Sequence, residues 1–336
     1  MRWLHRAPVN SPPLDIFGEL KSAQKILIVP SDRVGGLFLA GPAYKLIRNA
    51  YPQAYISLFV HSAQANMARQ IPFIDEVYSA ELGKPIWSGA FKAVGDALRR
   101  EEFDLAFCLG TDCSFRLAQL CAVCGARIRV GFGRCGIEPF NIEIKLSEES
   151  RYEVASYQSM LELLGLGGEA ELVWQFAEGK AEQVRTRYLG EEGAQVIGVD
   201  LGRGAGRGLT RRQLEDIVGR IVERGFRALL FFSLAEHKQV NYLKETYGNR
   251  AVLFEQEDFL TAAALLQSCK TLISCNTDLL HLAVSLKIPT VGIFEENPQR
   301  WIAAENTAVE TVHHADLRTL NITQIVDALD NQLRGK

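Results

Sequence analysis

Short runs of apolar residues alternate with longer amphipathic stretches along most of the chain. Apolar residues recur at helical spacing only in the longer stretches, so the short runs predict buried strands and the stretches predict helices. In the first half, strands are predicted at 25–30, 54–60, 76–78, 103–109 and 128–132, and helices at 14–20, 37–49, 63–70, 91–101, 115–124 and 151–164. In the second half, strands are predicted at 194–199, 227–232, 251–254, 271–274 and 290–294, and helices at 210–223, 235–247, 259–268, 279–286 and 321–333. This alternation is typical of parallel βαβ units.

A glycine- and glutamate-rich stretch at 165–171 separates the two strand–helix series. The pattern predicts two doubly wound α/β domains with parallel sheets, facing a central cleft that holds the ligand. The length of 336 residues agrees with about two domains of ~150 residues each. The predicted divisions are an N-terminal domain at 1–168 with an extension at 1–24, a linker at 169–193, a C-terminal domain at 194–320 and a closing helix at 321–336.

Composition narrows the class of protein. The 37 Lys and Arg nearly balance the 40 Asp and Glu, and without a polybasic run the chain lacks the charge of a general nucleic-acid binder. A hydrophobic content of 47% excludes a disordered chain, and no stretch approaches ~18 apolar residues, the length of a membrane span. The basic N-terminus lacks the apolar stretch of a signal peptide. These features predict a cytoplasmic protein.

The seven cysteines are an odd number, which favours free thiols over a disulfide framework. Cys121 and Cys124 form a C-x-x-C pair at the end of the helix predicted at 115–124. A zinc ribbon needs a second close pair, and a redox pair opens a helix after a strand. We therefore interpret both as buried apolar thiols, and we predict neither a metal nor a cofactor.

The first candidate motif is the turn after the first strand, at 31–42. Its glycine pair, Gly35 and Gly36, lets a ligand approach the backbone, and the following helix N-terminus favours an anion or polar head. Asp32 lies in the same turn. A tight turn between strand and helix with no ligand has the same pattern, so both interpretations stay open.

The second motif, at 202–210, contains G-x-G-x-G with Arg203 and Arg207 after a strand. Exposed backbone N–H groups beside guanidinium groups suit phosphate oxygens. Its spacing departs from the dinucleotide-binding fingerprint. A flexible connector with solvated arginines is the alternative.

The third motif, at 274–294, is the most specific. A strand ends in the polar turn Asn276, Thr277 and Asp278, which can cap the next helix, and His281 lies one turn inside that helix. Backbone amides, a hydroxyl and an imidazole thus converge where a diphosphate can rest. The alternatives are an ordinary cap with a core histidine, and a first-turn acid at Asp278.

These segments together resemble glycosyltransferase family nine, the lipopolysaccharide heptosyltransferases. Residues 276–289 resemble the family signature D-T-G-x-x-H-L-A-A-A-x-x-x-P, and 35–52 resemble its opening G-D-x-x-L-x-x-P-x-x-x-x-L-R-x-x-x-P. Shorter likenesses are P-x-I-D-x-V at 71–77, Y-D-x at 103–105 and R-I-G at 127–132. They occur in order over about 25–310. The resemblance implies the GT-B fold, with two Rossmann-like domains, the donor on the C-terminal one and the acceptor on the N-terminal one.

The chain departs from the family at several motif positions. The family's acid after the first glycine, its usual candidate base, falls on Gly36, so the base has to be Asp32, Asp112 or an acid carried by the substrate. Asn276 stands at the acid of D-T-G, and Asp278 at its glycine.

The remaining donor positions are closer to the family. Arg207 stands at the family's lysine, while Leu209 and Thr210 replace a Trp-Pro pair. Thr277 and His281 match the signature, and Glu236 matches a glutamate that lies near the donor's ribose. The resemblance therefore implies donor-binding roles for Arg207, Glu236, Asn276, Thr277, Asp278 and His281.

The resemblance implies an inverting, metal-independent transfer of a heptose-type sugar. The donor is a nucleoside diphosphate sugar, ADP-heptose by analogy, and the acceptor is bacterial lipopolysaccharide or another surface glycan, which can be lipid-linked. The expected location is the inner face of the bacterial inner membrane, with at most peripheral membrane contact. Because Gly36 lacks the acid, the alternative is a degenerate GT-B protein that binds nucleotide-sugar or glycan without transfer. The order of the motifs does not support a GT-B nucleotide-sugar epimerase.

Overall fold

The computed structural model describes residues 15–33, 35–81, 88–111, 114–133, 139–145, 152–169, 178–190, 195–202, 208–256 and 258–334. The chain divides into two compact units, Met1–Leu172 and Val173–Lys336. Each unit contains one six-stranded sheet whose strands pair in parallel. The boundary between the units lies inside the segment expected to be a linker. In the described part of the chain, every helix is too short or too polar to cross a membrane.

The first unit has the strand order β3-β2-β1-β4-β5-β6. Its strands are β1 (Lys25–Val29), β2 (Tyr55–His61), β3 (Glu76–Ala80), β4 (Leu105–Cys108), β5 (Ile128–Phe132) and β6 (Ile142–Ile144). Its helices are α1 (Ile16–Ser22), α2 (Gly36–Leu39), α3 (Gly41–Ala50), α4 (Ala65–Ala68), α5 (Gly89–Arg100), α6 (Phe115–Val123) and α7 (Glu153–Leu163).

The second unit repeats this arrangement with the order β12-β11-β10-β7-β8-β9. Its strands are β7 (Val196–Asp200), β8 (Arg227–Phe232), β9 (Ala251–Glu255), β10 (Cys269–Cys275), β11 (Thr290–Phe294) and β12 (Val309–His313). Its helices are α8 (Glu178–Leu189), α9 (Arg211–Glu223), α10 (His237–Tyr247), α11 (Phe259–Leu266), α12 (Asp278–Ser285) and α13 (Ile322–Arg334).

Inner strands such as β1, β4 and β7 are almost entirely buried, as expected of parallel strands that are covered on both faces. All five residues of β7 are buried. Along α9 the buried positions Leu214, Ile217, Val218 and Ile221 recur at helical spacing and form one face, which packs into the core of the second unit.

Both sheets reverse their strand order at one point, between β1 and β4 in the first unit and between β7 and β10 in the second. In open α/β sheets, ligands bind outside the carboxyl ends of the strands at such a point, because the two connections leave in opposite directions and open a crevice. The turn after β1, the glycine loop after β7 and the polar turn after β10 all begin at these points. The topology therefore brings all three sequence motifs to ligand-binding edges.

Some elements differ from the prediction. The helix predicted at 37–49 is divided into α2 and α3, since Pro42 near the start of α3 has no N–H to continue the hydrogen-bond ladder. The short edge strands β6 and β12 were not predicted. The segment 169–193, expected to be a linker, contains α8, which packs against α11.

Candidate functional site

A buried carboxylate lies at the strand reversal of the second unit, where β7 ends at Asp200. One oxygen, Oδ2, accepts hydrogen bonds from Ser274 Oγ at 2.7 Å and Thr277 Oγ1 at 2.5 Å. The other, Oδ1, accepts from the backbone N–H of Gly202 at 2.8 Å. Asp200 therefore ties the start of the glycine loop to the end of β10 and the turn after it.

Two opposing effects act on the pKa of Asp200. Burial raises it, and the negative charge of Glu236 raises it further. The hydrogen bonds from Thr277, Ser274 and Gly202 lower it, but the net shift is upward. The carboxylate at this edge is thus more easily protonated than an exposed aspartate.

Thr277 forms the N-cap of α12, as the sequence predicted. Its Oγ1 accepts from the backbone N–H of Leu280 at 3.3 Å while its own hydroxyl donates to Asp200. Asp278 is half-buried and lies in the first turn of the helix. The polar turn therefore places the N-terminal amides of α12 at the strand reversal.

His281 is fully buried, with no exposed area. Its Nε2 lies 2.8 Å from Asn276 Oδ1, and burial lowers its pKa to about 3, so the imidazole is neutral. Trp301 packs beside it with ring centroids 5.7 Å apart. Among the described residues, Nδ1 of His281 has no hydrogen-bond partner. The side chain thus lies in the core, as in the core-histidine alternative, and holds the half-buried Asn276.

Glu236 closes the turn after β8. Its Oε2 accepts from the backbone N–H of Ser233 at 2.9 Å and from Ser233 Oγ at 2.6 Å, which forms a capping box on the short 3₁₀ helix Leu234–Glu236. The side chain is buried. Arg207 and the rest of the loop at 203–207 lie outside the described residues.

The turn after β1 in the first unit has no space for a side chain at Gly36. A Cβ there would lie 2.2 Å from the carbonyl oxygen of Ser31, a distance that only glycine avoids. Gly35, the N-cap residue of α2, has a positive φ of 74°. In this backbone conformation, position 36 has no room for an acidic side chain.

Asp32 lies in the same turn and is exposed. Ser114, which follows β4 and caps α6, donates its hydroxyl to Asp32 Oδ2 at 2.8 Å. This hydrogen bond joins the two connections that diverge at the strand reversal of the first unit. Asp112, the other candidate base, lies outside the described residues.

Glu153 is a buried carboxylate that the sequence analysis did not single out. It is buried at the start of α7, and its Oε1 accepts from Thr111 Oγ1 at 2.5 Å and from the hydroxyl of Tyr157 at 3.3 Å. Thr111 follows β4, so a second carboxylate stands at this edge. Glu153 and Thr111 are 42 positions apart, so no local sequence pattern indicated their contact. Asp200 was not singled out either, although its position had a signal in the sequence: it ends a buried strand directly before the glycine loop.

Cys121 and Cys124 are fully buried, as predicted. Burial raises the pKa of both thiols, and a hydrogen bond with Cys108 contributes most to the shift at Cys121. Thiols with raised pKa values are poor nucleophiles. Within the residues that the structure describes, His, Cys, Asp and Glu side chains form no group of three suited to a metal ion.

Comparison with known proteins identifies the family to which this chain is similar. The family model described as glycosyltransferase family 9 (heptosyltransferase) matches residues 91–327. Lipopolysaccharide heptosyltransferase 2 of Escherichia coli strain K12 is 21% identical over 288 residues, which cover 80% of this chain and 82% of that protein.

Two solved structures share the fold. The structure of E. coli ADP-heptose lipopolysaccharide heptosyltransferase II is 19% identical, with a TM-score of 0.75 and coverage of 92% of this chain and 98% of that one. E. coli heptosyltransferase WaaC with ADP is 16% identical, with a TM-score of 0.72 and coverage of 92% and 99%. The prediction of an α/β GT-B fold with two Rossmann-like parallel sheets is confirmed.

Proposed function

The chain belongs to glycosyltransferase family 9, the heptosyltransferases, and we propose that it transfers a heptose-type sugar from a nucleoside diphosphate to a lipopolysaccharide or other surface-glycan acceptor. The observation that carries this proposal is the polar turn Asn276–Asp278, which opens α12 beside the start of the glycine loop where the second sheet reverses. In this proposal the second unit holds the donor and the first holds the acceptor. The reaction takes place at the cytoplasmic face of the inner membrane.

The donor's diphosphate lies against the N-terminus of α12 in this proposal. The first turn of the helix carries partial positive charge from the helix dipole, which stabilises an anion and most of all a departing diphosphate. Arg207 supplies a full positive charge from the glycine loop. Adenine is the proposed base of the donor, because one related structure contains ADP and another is of an ADP-heptose heptosyltransferase.

Asp32 acts as the general base in this proposal. It is exposed in the turn after β1, and the hydroxyl of Ser114 orients one of its oxygens. It takes the proton of the acceptor hydroxyl as that oxygen attacks the anomeric carbon of the donor. The bond from that carbon to the diphosphate breaks on the opposite face, so the configuration inverts.

A catalytically degenerate binding protein is the second candidate, and the turn at Gly36 favours it. Since a Cβ there would meet the carbonyl oxygen of Ser31 at 2.2 Å, no acid can stand at that position without a shift of the backbone. A protein with this turn binds nucleotide-sugar or glycan but does not transfer the sugar unless Asp32 replaces the missing base.

Thermal unfolding in the presence of ADP, UDP, GDP, CDP and ADP-heptose tests the donor site. We expect ADP and ADP-heptose alone to raise Tm, since a ligand at 100 times its Kd adds about 2.7 kcal/mol of stability. Arg207→Ala should weaken this effect. An unchanged Tm with every ligand would overturn the proposed donor site.

Release of ADP from ADP-heptose in the presence of a truncated lipopolysaccharide acceptor tests the transfer. Asp32→Asn should lower kcat by about 10²- to 10⁴-fold with little change in ADP affinity, as loss of a general base does. Asp15→Asn, an exposed N-cap of α1, is the matched control. Equal turnover in both variants would exclude Asp32 as base. A wild-type protein that binds donor and acceptor without turnover would establish the binding protein instead.

A further inference from the structure

Asp200 places a buried negative charge directly beside the proposed diphosphate site. Its Oδ2 lies 2.5 Å from the hydroxyl of Thr277, the residue that caps α12. Glu236 adds a second carboxylate whose charge acts on Asp200. A bound diphosphate therefore brings further negative charge to an edge that already carries two buried carboxylates. This repulsion is relieved if one of the carboxylates becomes neutral.

The hydroxyl groups around Asp200 have two alternative hydrogen-bond arrangements. When Asp200 is ionised, Thr277 donates its one proton to Oδ2 and has none left for a ligand. Ser274 Oγ also lies 2.7 Å from Oδ2, but the carbonyl oxygen of Cys275 is an equivalent acceptor at 2.8 Å. Ser274 can therefore turn its proton away from Asp200 without losing a hydrogen bond.

We propose that Asp200 takes up one proton when the diphosphate of the nucleotide-sugar binds, and that this releases the Thr277 hydroxyl to donate to the ligand. The proton comes from solvent and binds Oδ2, which then donates to Thr277 Oγ1. Thr277 turns its own O–H to a phosphate oxygen, and Ser274 donates to Cys275. Asp200 Oδ1 keeps its hydrogen bond from Gly202. The inference rests on the proposed donor site, and Asp200 acts as a positioning residue through Thr277.

The neighbouring titratable groups leave Asp200 as the proton acceptor. His281 is neutral, with a pKa lowered to about 3, and burial keeps the Cys275 thiol protonated, with a pKa of about 12. Glu236 belongs to a separate hydrogen-bonded group, since its Oε2 accepts from the backbone N–H and the hydroxyl of Ser233. Burial already raises the pKa of Asp200, and a nearby phosphate raises it further.

Proton uptake sets the sign of the pH dependence. Affinity for the nucleotide-sugar is highest at low pH and falls as pH rises through the interval between the pKa of Asp200 in the free and the bound protein. The fall is up to tenfold per pH unit within that interval. Outside the interval the affinity contribution of Asp200 is constant.

Calorimetric titration of ADP-heptose into the full chain, in buffers with different ionisation enthalpies, counts the protons taken up. The doubly substituted diphosphate has no proton of its own that titrates near neutral pH. At a pH between the pKa values of Asp200 in the free and the bound protein, the wild type should take up as much as one proton per ligand. Asp200→Asn should take up none and bind with little pH dependence, because its Nδ2 donates to Thr277 as the protonated acid would. Asp330→Asn, which removes a carboxylate paired with Arg224 just after α9, is the matched control and should behave as the wild type.

Binding without proton uptake in the wild type, or equal uptake in Asp200→Asn, would overturn this inference and leave the donor site standing. Failure of every nucleotide and of ADP-heptose to bind would overturn the donor site and the inference with it. An infrared difference spectrum of the wild type gives a second measurement, which does not depend on whether Asp200→Asn folds. The expected signal is a protonated carboxyl band that appears on binding and shifts with ¹³C-labelled aspartate, and absence of this band would overturn the inference.

Discussion

At Gly36 the backbone approaches the carbonyl oxygen of Ser31 so closely that the residue type is decided by space. A Cβ at this position would lie 2.2 Å from the carbonyl oxygen of Ser31, so the backbone would have to shift to make room for it. We therefore predict that Gly36→Ala destabilises the protein by about 2 kcal/mol, as overpacking does in a closed core. An acid at this position would disturb the same turn instead of restoring a base.

Urea unfolding of Gly36→Ala measures this cost, and Gly89→Ala is the control. Gly89 also begins a helix, α5, but a Cβ there meets nothing within 4 Å. Its substitution should leave stability unchanged or slightly raised. Equal midpoints for the two variants would contradict the close approach at Gly36.

His281 makes stability depend on pH. Its pKa is about 3 in the folded protein and near 6.5 in an unfolded chain, so the unfolded state binds more protons as pH falls below 6.5. The contribution is complete above pH 6.5 and is lost on acidification. Between pH 7 and pH 5 the loss from this residue is about 2 kcal/mol.

The difference between wild type and His281→Gln isolates this effect. The variant has no group to titrate there, so its free energy of unfolding should fall less steeply between pH 6.5 and pH 5 in chemical denaturation. Parallel pH profiles for the two proteins would show that His281 is not held neutral by burial.

At the scale of elements, Gln213 connects α9 to the segment before α13. Its Nε2 donates to the carbonyl oxygens of Leu317 and Leu320 at 2.8 and 2.7 Å, and its Oε1 accepts from the backbone N–H of Thr210 at 2.7 Å. The side chain is buried. One residue thus caps its own helix and satisfies two carbonyls of another segment.

Gln213→Ala should therefore cost about 1–3 kcal/mol, because the buried carbonyl of Leu320 loses its donor, whereas that of Leu317 keeps the backbone N–H of Leu320 at 3.2 Å. Thr210→Ser retains the capping hydroxyl and should change stability by less than about 0.5 kcal/mol. Thermal unfolding of both variants measures the comparison. A loss in Gln213→Ala no larger than in Thr210→Ser would exclude the connection between these segments as a source of stability.

At the scale of the whole molecule, two units repeat one sheet order but carry different side chains at the strand reversal. The second unit presents the capped N-terminus of α12, whereas the first presents the exposed Asp32. We therefore predict that ADP slows amide hydrogen exchange at 199–202 and 276–281 and leaves 31–36 unchanged. Mass spectrometry of peptides from the exchanged protein measures this. Protection confined to 31–36 would assign the nucleotide to the first unit.

The amino-acid sequence by itself determined the features that depend on near neighbours. Apolar runs and their spacing predicted ten of the twelve strands in the described part of the chain and the parallel class of both sheets, because a buried strand is itself a run of apolar residues. The turn Asn276–Asp278 was predicted as a cap because capping acts within three residues. The sequence did not predict β6 and β12, because polar residues interrupt both strands and both are partly exposed.

Only the tertiary structure decided what the residues at the site contact. Asp200 and Thr277 are 77 positions apart, and Asp32 and Ser114 are 82 apart, so strand order alone brings each pair together. The same holds for the space at Gly36 and for the burial of His281, whose pKa follows from surrounding atoms and not from sequence neighbours. The sequence determines the chemical type of each side chain. Its protonation state, its hydrogen-bond partners and the space around it depend on the packing of the fold.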